Sequence, residues 1–445
     1  MGAEGQGPRR PEREDDCSPD RSEDDGVARN WGSINFMPRI IAHIDMNSYF
    51  ASVEQQANPF LRGKAIGVTG KRTERSVVAA ASREAKALGV KTAMGTWEAK
   101  RILPSITLVM GDPEKYGDVT RRFNAIFHEF TDMVEQFSVD ESFLDITDAA
   151  RDYLGAIVIA QSIKLRLREE CGECITASVG IAPNKPMAKL ASERMKPDGL
   201  VVAPPDRVLE LLDASELQDL CGIGPRIAQR LNAMGVFSFK QLREHSLESL
   251  TAKFNSYGIW LHAVARGLGD DGVKSEPVDQ KSYGHSYTLP RDTTDPRVIE
   301  RYLLIQCEKV AWRLRRDGFA ARCITAYVRF GDFSSNGKQR RVSEPINDGL
   351  RLFEIARTLI SDRAAPQDTA PRLLKPIRLV GVSASELTRG NEQPSLFKKE
   401  RKMSSVLSAL DALQTRYGDQ AWTRASILRT NVLARTSGFR YDHEL

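Results

Sequence analysis

The sequence is poor in cysteine and has no long hydrophobic run. Six cysteines are spread over 445 residues, and the only close pair, Cys171 and Cys174, has no second pair or histidine cluster beside it. Because a structural zinc site needs about four ligands, this pair predicts ordinary thiols of a reducing cytoplasm. No apolar stretch approaches the roughly 20 residues that span a bilayer, and the N-terminal residues lack the apolar segment of a signal peptide. We therefore expect a cytoplasmic protein with no membrane segment.

Neither sign of charge is in large excess. Lys and Arg total 64 against 59 for Asp and Glu, which gives a formal net charge of +5. This excess permits nucleic-acid binding but does not by itself require it. With 41% hydrophobic residues, the chain can bury more than one core. We expect a multidomain protein.

The first part of the chain contains an acid at a predicted strand end. Residues 1–35 are mostly glycine, proline and charged residues with little to bury, which predicts a disordered tail. The run RIIAHID predicts a buried strand that ends on Asp45. Asn47 and Ser48 are cap-type residues before a helix that we expect to begin at Tyr49.

A second acidic position lies in VEQFSVDESFLDIT, residues 134–147. Two strand-like segments there flank Asp140, Glu141 and Ser142, which we expect to form a hairpin turn. The order β, hairpin, α, β, α, β is typical of an antiparallel sheet backed by helices. The later elements of this pattern are predicted as helix 153–170, strand 175–182, helix 185–195 and a short strand LVVAP.

The second half of the chain shows a separate pattern. Residues 205–268 predict short helices around CGIGPRIAQRLNAMGV, and the polar residues 269–280 predict a linker. A β-α-β-β-α-β pattern follows, and then a polar tail with one amphipathic helix near 403–417. The predicted elements are strand 282–289, helix 295–317, strands 323–330 and 339–346, helix 350–361 and strand 377–384.

The acidic residues suggest a chemistry. Three carboxylates that face one point repel each other unless divalent cations lie between them. Phosphoryl transfer uses such a site, because one metal lowers the pKa of the attacking hydroxyl and another binds the triphosphate. Mg²⁺ prefers these oxygen ligands, so we expect two Mg²⁺ ions bridged by Asp45 and Asp140, with Glu141 on the catalytic side. By itself, an Asp-Glu pair in a turn would be ordinary turn chemistry.

Five segments occur in order along the chain: HIDMNSYFASVEQ, SREAKALGVKTAMG, FSVDESFLDIT, SVGIAPNKPMAKLASERMKPDG and CGIGPRIAQRLNAMGV. Together they resemble the Y-family DNA polymerases, and most of all the DinB, or DNA polymerase IV, branch. The resemblance covers about residues 39–385. It implies a low-fidelity, template-directed DNA polymerase that copies past lesions, with primer–template DNA and dNTPs as substrates.

The resemblance also implies an architecture. The expected fold is an α+β right hand with a ferredoxin-like palm, small fingers, a helical thumb with a helix-hairpin-helix and a β-α-β-β-α-β little finger. We expect a monomer. The expected divisions are a disordered tail at 1–35, the palm at 36–54 and 113–204, the fingers at 55–112, the thumb at 205–268, a linker at 269–280, the little finger at 281–386 and a C-terminal tail at 387–445.

The resemblance assigns roles at the predicted site, position by position. Asp45 and Asp140 match metal-binding aspartates, and the backbone carbonyl of Met46 matches a further metal contact. Glu141 matches the catalytic glutamate and is also expected to bind metal. Phe50 matches an aromatic steric gate, whose ring would clash with a ribose 2′-hydroxyl; without Asp45 nearby, a core aromatic would be the alternative interpretation.

The triphosphate requires cations as well as metals. Tyr49 is expected beside the triphosphate, with Lys86 and Lys189 as candidate cations. The sequence departs from the family at Arg83, where Tyr is usual, and at Lys86, where Arg is usual. We therefore expect Arg83 and Lys86 to bind the triphosphate differently from the family pattern. The alternative interpretation is a solvated charge, which is usual for a lone lysine on a helix.

Two further segments are expected to bind DNA. Gly222 and Gly224 lie between helical segments and would let backbone N–H groups approach a phosphate, although helix-capping glycines are the alternative. In the C-terminal module, we expect one face of a strand to lie in a core and the other face to be cationic and to contact the phosphate backbone. The alternative for the second face is a solvated surface that does not bind DNA. The core face is Ile324, Ala326, Val328 and Phe330; the other carries Thr325, Tyr327 and Arg329, joined by Lys338, Arg340 and Arg341 of the next strand.

A short motif lies in the polar stretch after the last predicted strand. Gln393, Leu396 and Phe397 belong to QPSLF, which resembles the motif that binds the bacterial sliding clamp, the beta subunit of the replicative polymerase. An exposed Leu-Phe pair in polar surroundings is a plausible peptide anchor. The apolar stripe on the following helix is expected to fold back on the protein. That stripe consists of Met403, Val406, Leu407, Leu410 and Leu413.

Two other functions fit part of the sequence. A polymerase-like scaffold without chemistry would bind DNA and the clamp but would not need converging acids. A metal-dependent nuclease would use similar carboxylates but would not need Phe50 or Lys189. Primer extension separates the three functions, because a scaffold extends nothing and a nuclease shortens the primer.

Overall fold

The computed structural model describes residues 39–70, 76–269, 272–276, 279–361, 375–389, 397–418, 421–428 and 430. The chain divides into two compact units between Ser275 and Glu276, a position that lies in the predicted linker. The predicted tail 1–35 is outside the described residues. Among the helices of the described residues, none combines the length and the apolar character that a membrane span requires.

The first unit contains two sheets and the helices around them. Its strands are β1 (Ile41–Met46), β2 (Ile66–Thr69), β3 (Val78–Ala81), β4 (Thr107–Met110), β5 (Val134–Gln136), β6 (Glu141–Asp145), β7 (Ala177–Ala182) and β8 (Leu200–Val202). Its helices are α1 (Tyr49–Ala57), α2 (Arg83–Ala87), α3 (Thr96–Ile102), α4 (Pro113–His128), α5 (Thr147–Ala150), α6 (Tyr153–Cys171), α7 (Lys185–Arg194), α8 (Val208–Asp213), α9 (Pro225–Asn232), α10 (Phe239–Glu244), α11 (Leu247–Phe254) and α12 (Ser256–Val264).

The larger sheet has the strand order β5-β6-β1-β7-β8. The central strand β1 pairs antiparallel with both β6 and β7, and all six of its residues are buried. Burial on both faces explains the continuous apolar run in the sequence. The expectation of an antiparallel sheet is wrong at its edge, where β7 and β8 are parallel, because α7 carries the chain back across the sheet between them.

The alternation of side chains along β1 divides the palm into two layers. Ala42, Ile44 and Met46 belong to the core that includes residues of α4 and α6. Ile41 belongs to a second core, which contains residues of α7 and continues into the helices α8 to α12. Asp45 has the same parity as Ile41, so its carboxylate is on the α7 side of the sheet.

The smaller sheet has the order β3-β2-β4. Strand β2 pairs antiparallel with β3 and parallel with β4. A small core beneath it includes Val78, Ala85, Ala99 and Ile106, which come from the strands, from α2 and α3, and from the loop before β4. This compact module lies within the predicted fingers, 55–112.

The second unit has the predicted β-α-β-β-α-β order. Its four-stranded antiparallel sheet has the order β11-β10-β12-β9, and its strands extend beyond their predicted ends. The elements are β9 (Ser282–Thr293), α13 (Pro296–Arg316), β10 (Phe319–Phe330), β11 (Ser335–Ile346), α14 (Gly349–Ser361), β12 (Ile377–Arg389) and α15 (Lys398–Tyr417).

Helix α15 begins five residues before its predicted start and packs on the second unit. Leu407 is buried and Leu410 is half-buried. The guanidinium of Arg315 on α13 donates hydrogen bonds of 2.6 and 2.7 Å to the carboxylate of Asp411. The expectation that the apolar stripe of this helix folds back on the protein is confirmed for Leu407 and Leu410. It is wrong for Met403, Val406 and Leu413, which are exposed.

Candidate active site

Strand pairing brings the predicted acids together at one end of the palm sheet. Asp45 on β1 lies directly opposite Glu141 on β6. The Met46 N–H donates a 2.9 Å hydrogen bond to the carbonyl of Asp140. Asp45 and Asp140 both line one cleft, so residues almost a hundred positions apart meet at this point.

The hairpin before Glu141 differs from its prediction. Glu141 and Ser142 are strand residues and not turn residues, because both pair with β1 and Ser142 also pairs with Gln136. The turn is closed by the N–H groups of Phe137 and Ser138, which donate to the Glu141 carbonyl at 3.0 and 3.1 Å. Pairing with β1 extends the strand by two residues, an effect that local sequence does not reveal.

One acidic residue beside the predicted acids, Glu193, was missed by sequence analysis. Within the described residues, carboxylate oxygens of Asp45, Glu141 and Glu193 all lie within 4.8 Å of one another. Asp140 is not in this group; its carboxylate accepts a 2.7 Å hydrogen bond from the Ser138 hydroxyl. Glu193 lies on α7 four residues after Lys189, so helical periodicity was the signal that could have identified it.

Burial gives the acids unequal proton affinities. Burial raises the pKa of Asp45 to about 7, and the nearby Glu141 adds to this effect although the charge of Lys196 opposes it. Burial also raises the pKa of Asp140. For Glu141, burial alone would raise the pKa, but hydrogen bonds with Asp45 and Lys189 and the charge of Lys189 lower it. The Glu141 carboxylate is thus the most strongly stabilised as an anion.

Two lysines neutralise these acids, Lys189 on α7 and Lys196 in the segment after it. The Lys189 ammonium hydrogen-bonds to Glu141. The Lys196 ammonium lies 2.9 Å from a carboxylate oxygen of Asp45 and 2.6 Å from one of Glu193. Lys196 was also missed, although it belongs to the quoted MKPDG segment and follows Glu193 by three residues.

The cleft has a volume of about 600 Å³. Phe50 forms part of its wall and stacks on Tyr116, with ring centroids 4.4 Å apart and an angle of 17° between the planes. This stacking holds the Phe50 ring in place. The other lining residues are Asp45, Met46, Asn47, Ser48, Tyr49, Ala79, Ala80, Arg83, Lys86, Thr92, Asp140, Lys196 and Pro197.

The predicted nucleotide-binding residues occupy different positions relative to this cleft. Arg83 and Lys86 line it, and burial together with the charge of Lys196 lowers the pKa of Lys86. Lys189 is not part of the lining and contacts Glu141 instead. The Tyr49 hydroxyl points into the palm, donating to the Tyr116 carbonyl at 2.6 Å, so its side chain is not oriented for a triphosphate.

Residues beside the acids connect β1 to the segment after α7. The Asn47 side chain donates to the Ser178 hydroxyl at 2.8 Å and accepts from the Asp198 N–H at 2.7 Å. Ser48 occupies the N-cap position of α1 with φ 48° and makes no capping hydrogen bond through its side chain. The expected capping role of these two residues is therefore wrong, because the Asn47 side chain bonds other segments of the palm.

The predicted DNA-binding glycines lie at the start of α9. Gly222 has φ +110°, and a Cβ there would be 2.6 Å from the Trp260 ring, so this position requires glycine. Gly224 is the N-cap residue of α9, and a Cβ on it would meet open space. DNA contact by this turn remains a prediction.

The register of the second sheet corrects the expected cationic face. Directly opposite residues share a face in an antiparallel pair, and Arg341 is opposite Cys323, while Arg340 is opposite the buried Ile324. Arg341 thus shares a face with Arg329, whereas Arg340 and Lys338 are on the helix-covered face. The grouping of all these cations on one face is wrong, since β11 alternates like any strand.

The predicted clamp motif is only partly described. Gln393 and Leu396 lie outside the described residues. Phe397, immediately before α15, is 71% exposed. Clamp binding therefore stays a prediction.

Comparison with known proteins agrees with this architecture. A solved chimera of Y-family DNA polymerases is similar to the chain with a TM-score of 0.70 and 27% identity, covering 78% of this chain and 98% of that chain. The fold is that of a Y-family DNA polymerase. The model of the impB/mucB/samB family matches residues 44–193, and that of the same family's C-terminal domain matches 280–396.

Relatives are similar over most of their length. DNA polymerase IV of Bacteroides fragilis (strain YCH46) is 37% identical over 349 residues, 78% of this chain and 92% of the relative. DNA polymerase IV of Moorella thermoacetica is 36% identical over 386 residues, 86% of this chain and 94% of the relative. The chain belongs to the impB/mucB/samB family, together with these DNA polymerase IV proteins.

Proposed function

We propose that this DNA-directed DNA polymerase joins dNMPs to a primer 3′ end by two-metal phosphoryl transfer on Asp45, Asp140 and Glu141. The activity, template-directed synthesis in the tolerance of DNA damage, follows from membership of the family. The observation that carries the mechanism is the pairing of Asp45 with Glu141 beside Asp140, because Asp45 and Asp140 line a cleft that also presents cations.

The acids fit a pair of Mg²⁺ ions. Carboxylate oxygens are the ligands that Mg²⁺ prefers, and buried carboxylates at this spacing repel one another without added positive charge. Asp45, Asp140, Glu141 and the Met46 carbonyl would hold the ions. When bound, the ions activate the primer hydroxyl and neutralise the charge that develops on the triphosphate.

The cations of the cleft would bind the triphosphate. Arg83 and Lys86 come from α2, and Lys196 comes from the segment after α7. The Lys196 ammonium pairs with Asp45 at the cleft, and an ammonium at this position would bind phosphate oxygens of the triphosphate. Lys189 is proposed to orient Glu141 and not to contact the nucleotide, because its ammonium hydrogen-bonds to that carboxylate.

Phe50 is the proposed steric gate. Its ring lies at the wall of the cleft on the same helix turn that follows Asp45, and its stacking on Tyr116 prevents it from moving aside. A ring fixed at that position would clash with a 2′-hydroxyl and select dNTPs.

Three further proposals concern partners, assembly and location. Gln393, Leu396 and Phe397 would bind a sliding clamp, and the exposed phenyl ring of Phe397 supports an anchor role. The protein is proposed to act as a monomer, since each unit contains its own core. The free thiols of Cys171 and Cys174 agree with a reducing cytoplasm.

Primer extension tests the mechanism. Asp140→Asn keeps the shape of the side chain but removes its charge, so we expect extension to fall by at least about 1000-fold as transition-state stabilisation by metal is lost. Asp118→Asn, at a half-buried position of α4 where the carboxylate pairs with Arg122, is the matched control and should extend normally. Near-normal extension by Asp140→Asn would refute the mechanism, and primer shortening by the wild type would favour the nuclease alternative.

A further inference from the structure

Helix α3 of the small sheet module carries a large aromatic side chain in water. Trp97 is 69% exposed, while its neighbours Thr96 and Ala99 are buried at 2% and 0%. The hydrophobic cores formed by the described residues do not include Trp97. Single exposed apolar residues are common on protein surfaces, so the exposure of Trp97 needs a second observation before it indicates a site.

The second observation is the charge around the indole. The guanidinium of Arg101, one helical turn further on, lies over the Trp97 ring at 5.0 Å from its centroid. Lys100 and Lys91 are exposed on the same helix and on the preceding loop. An aromatic face flanked by Arg and Lys is the combination that binds single-stranded nucleic acid, because bases stack on the ring and cations meet the phosphates.

The position of α3 connects this patch to the cleft. The Thr96 N–H and hydroxyl both donate to the Ser76 carbonyl at 3.1 Å, and Gly95 bridges Val77. The strand that continues from Val77 contributes the cleft residues Ala79 and Ala80, and the loop before α3 contributes Thr92.

The distance from the cleft to the patch is limited by chain length. Thr92 and Trp97 are five positions apart in the chain, which spans at most about 18 Å when fully extended. A stacked DNA strand rises about 3.4 Å per nucleotide, so Trp97 is within roughly five nucleotides of the cleft.

We propose that Trp97, supported by Arg101, binds the single-stranded template strand as it approaches the cleft. Among the uncharged residues of the cleft lining, Ala79, Ala80 and Thr92 belong to the same small sheet module as α3, so a base that lies against them is on the side of the cleft next to Trp97. When a template base lies next to Thr92, the unpaired template nucleotides that have not yet reached the cleft lie beside α3. The inference rests on the polymerase function proposed above.

Binding to two DNA probes tests this proposal. The probes share one primer–template duplex and differ only in the template 5′ overhang, which is absent in one and about ten nucleotides long in the other. Dissociation constants are measured by fluorescence anisotropy with the full chain at one salt concentration, without dNTP. We expect Trp97→Ala to weaken binding of the overhang probe about 5-fold or more, Trp97→Phe to retain most of it, and both variants to bind the other probe like the wild type.

Phe60→Ala is the matched control, since Phe60 is 82% exposed in the same part of the chain but has no described cation–π contact. It should bind both probes normally. Equal effects of Trp97→Ala on both probes, no effect on either, or the same loss in Phe60→Ala would overturn the proposal. Because no nucleotide is added, failure of catalysis cannot produce or hide the expected difference.

Discussion

At the scale of single residues, the charged side chains at the cleft and beside it pair with one another. Lys196 contacts both Asp45 and Glu193, and Lys189 contacts Glu141. Burial alone would lower the pKa of Lys196, but the charges of Asp45 and Glu193 raise it. Glu193 therefore keeps Lys196 protonated and near the cleft. This contact makes Glu193 a positioning residue in the proposed reaction.

Replacing Glu193 with Gln should separate substrate binding from the chemical step. Gln keeps the side-chain size but loses the charge that holds Lys196, and a hydrogen bond to a charged group contributes on the order of 1.5–3 kcal/mol. We expect KM for dNTP to rise about 10-fold while kcat changes little, as measured by steady-state single-nucleotide insertion. Glu169→Gln on the exposed surface of α6 is the control. A large loss of kcat at unchanged KM would instead assign Glu193 to the metal site.

The ring of Phe50 should determine sugar selectivity. Phe50→Val removes the part of the ring proposed to meet a 2′-hydroxyl. Relief of a steric clash of about 1–3 kcal/mol should lower the preference for dNTP over NTP by roughly 5- to 150-fold. The measurement is the ratio of kcat/KM for a dNTP to that for the matching NTP. Phe60→Val should keep the wild-type ratio, and an unchanged ratio in Phe50→Val would contradict the gate assignment.

At the scale of secondary-structure elements, alternation along each strand decides which side chains act together. On β1 it places Asp45 on the α7 face, together with His43, whose ring nitrogen lies 2.7 Å from the Ser192 hydroxyl. Burial lowers the pKa of His43 to about 3, with a further contribution from Lys189. A neutral, hydrogen-bonded histidine thus anchors α7 to β1 and fixes the lysines and Glu193 relative to the acids.

On the second sheet, the same alternation predicts a difference between neighbouring arginines. Arg341→Ala should weaken DNA binding and reduce the slope of log K against log salt by about 1, as expected for one lost phosphate contact. Its guanidinium is 78% exposed and pairs with Glu386, which it must leave or share to reach DNA. Arg340→Ala, on the other face, is the control and should bind nearly as the wild type does. Equal losses in the two variants would exclude a specific DNA-binding face.

At the scale of the whole molecule, the two units are joined through the residues around Ser275 and Glu276, and each unit has its own core. The proposed clamp motif belongs to the second unit, far along the chain from the acids. We therefore expect that changes in the clamp motif alter clamp-stimulated synthesis and leave the chemical step unchanged.

Removing the motif should affect only clamp-dependent synthesis. Replacing Leu396 and Phe397 with Ala deletes the apolar groups proposed to enter a clamp pocket, and loss of such anchors commonly costs 2 kcal/mol or more. We expect clamp-stimulated extension to fall by about 10-fold or more and extension without clamp to remain unchanged. Leu413→Ala, an exposed position on α15, is the control. Full stimulation of the double variant would rule out this motif.

The amino-acid sequence by itself determined the local features of this protein. Apolar runs and turn residues predicted the elements and the two-part organisation, and the segments around Asp45 and Asp140 predicted acids at strand ends. The structure brings Asp45, Asp140 and Glu141 together, while their roles remain proposals. These features are local because they depend on short-range periodicity and backbone preference.

Tertiary structure alone decided which distant residues meet. The parallel pairing of β8, the strand position of Glu141, and the separation of Arg340 from Arg341 all depend on register between strands. The arrival of Glu193 and Lys196 at Asp45 depends on how α7 packs against β1. Register and packing are set by contacts between segments far apart in the chain, and a one-residue shift reverses the face of every side chain.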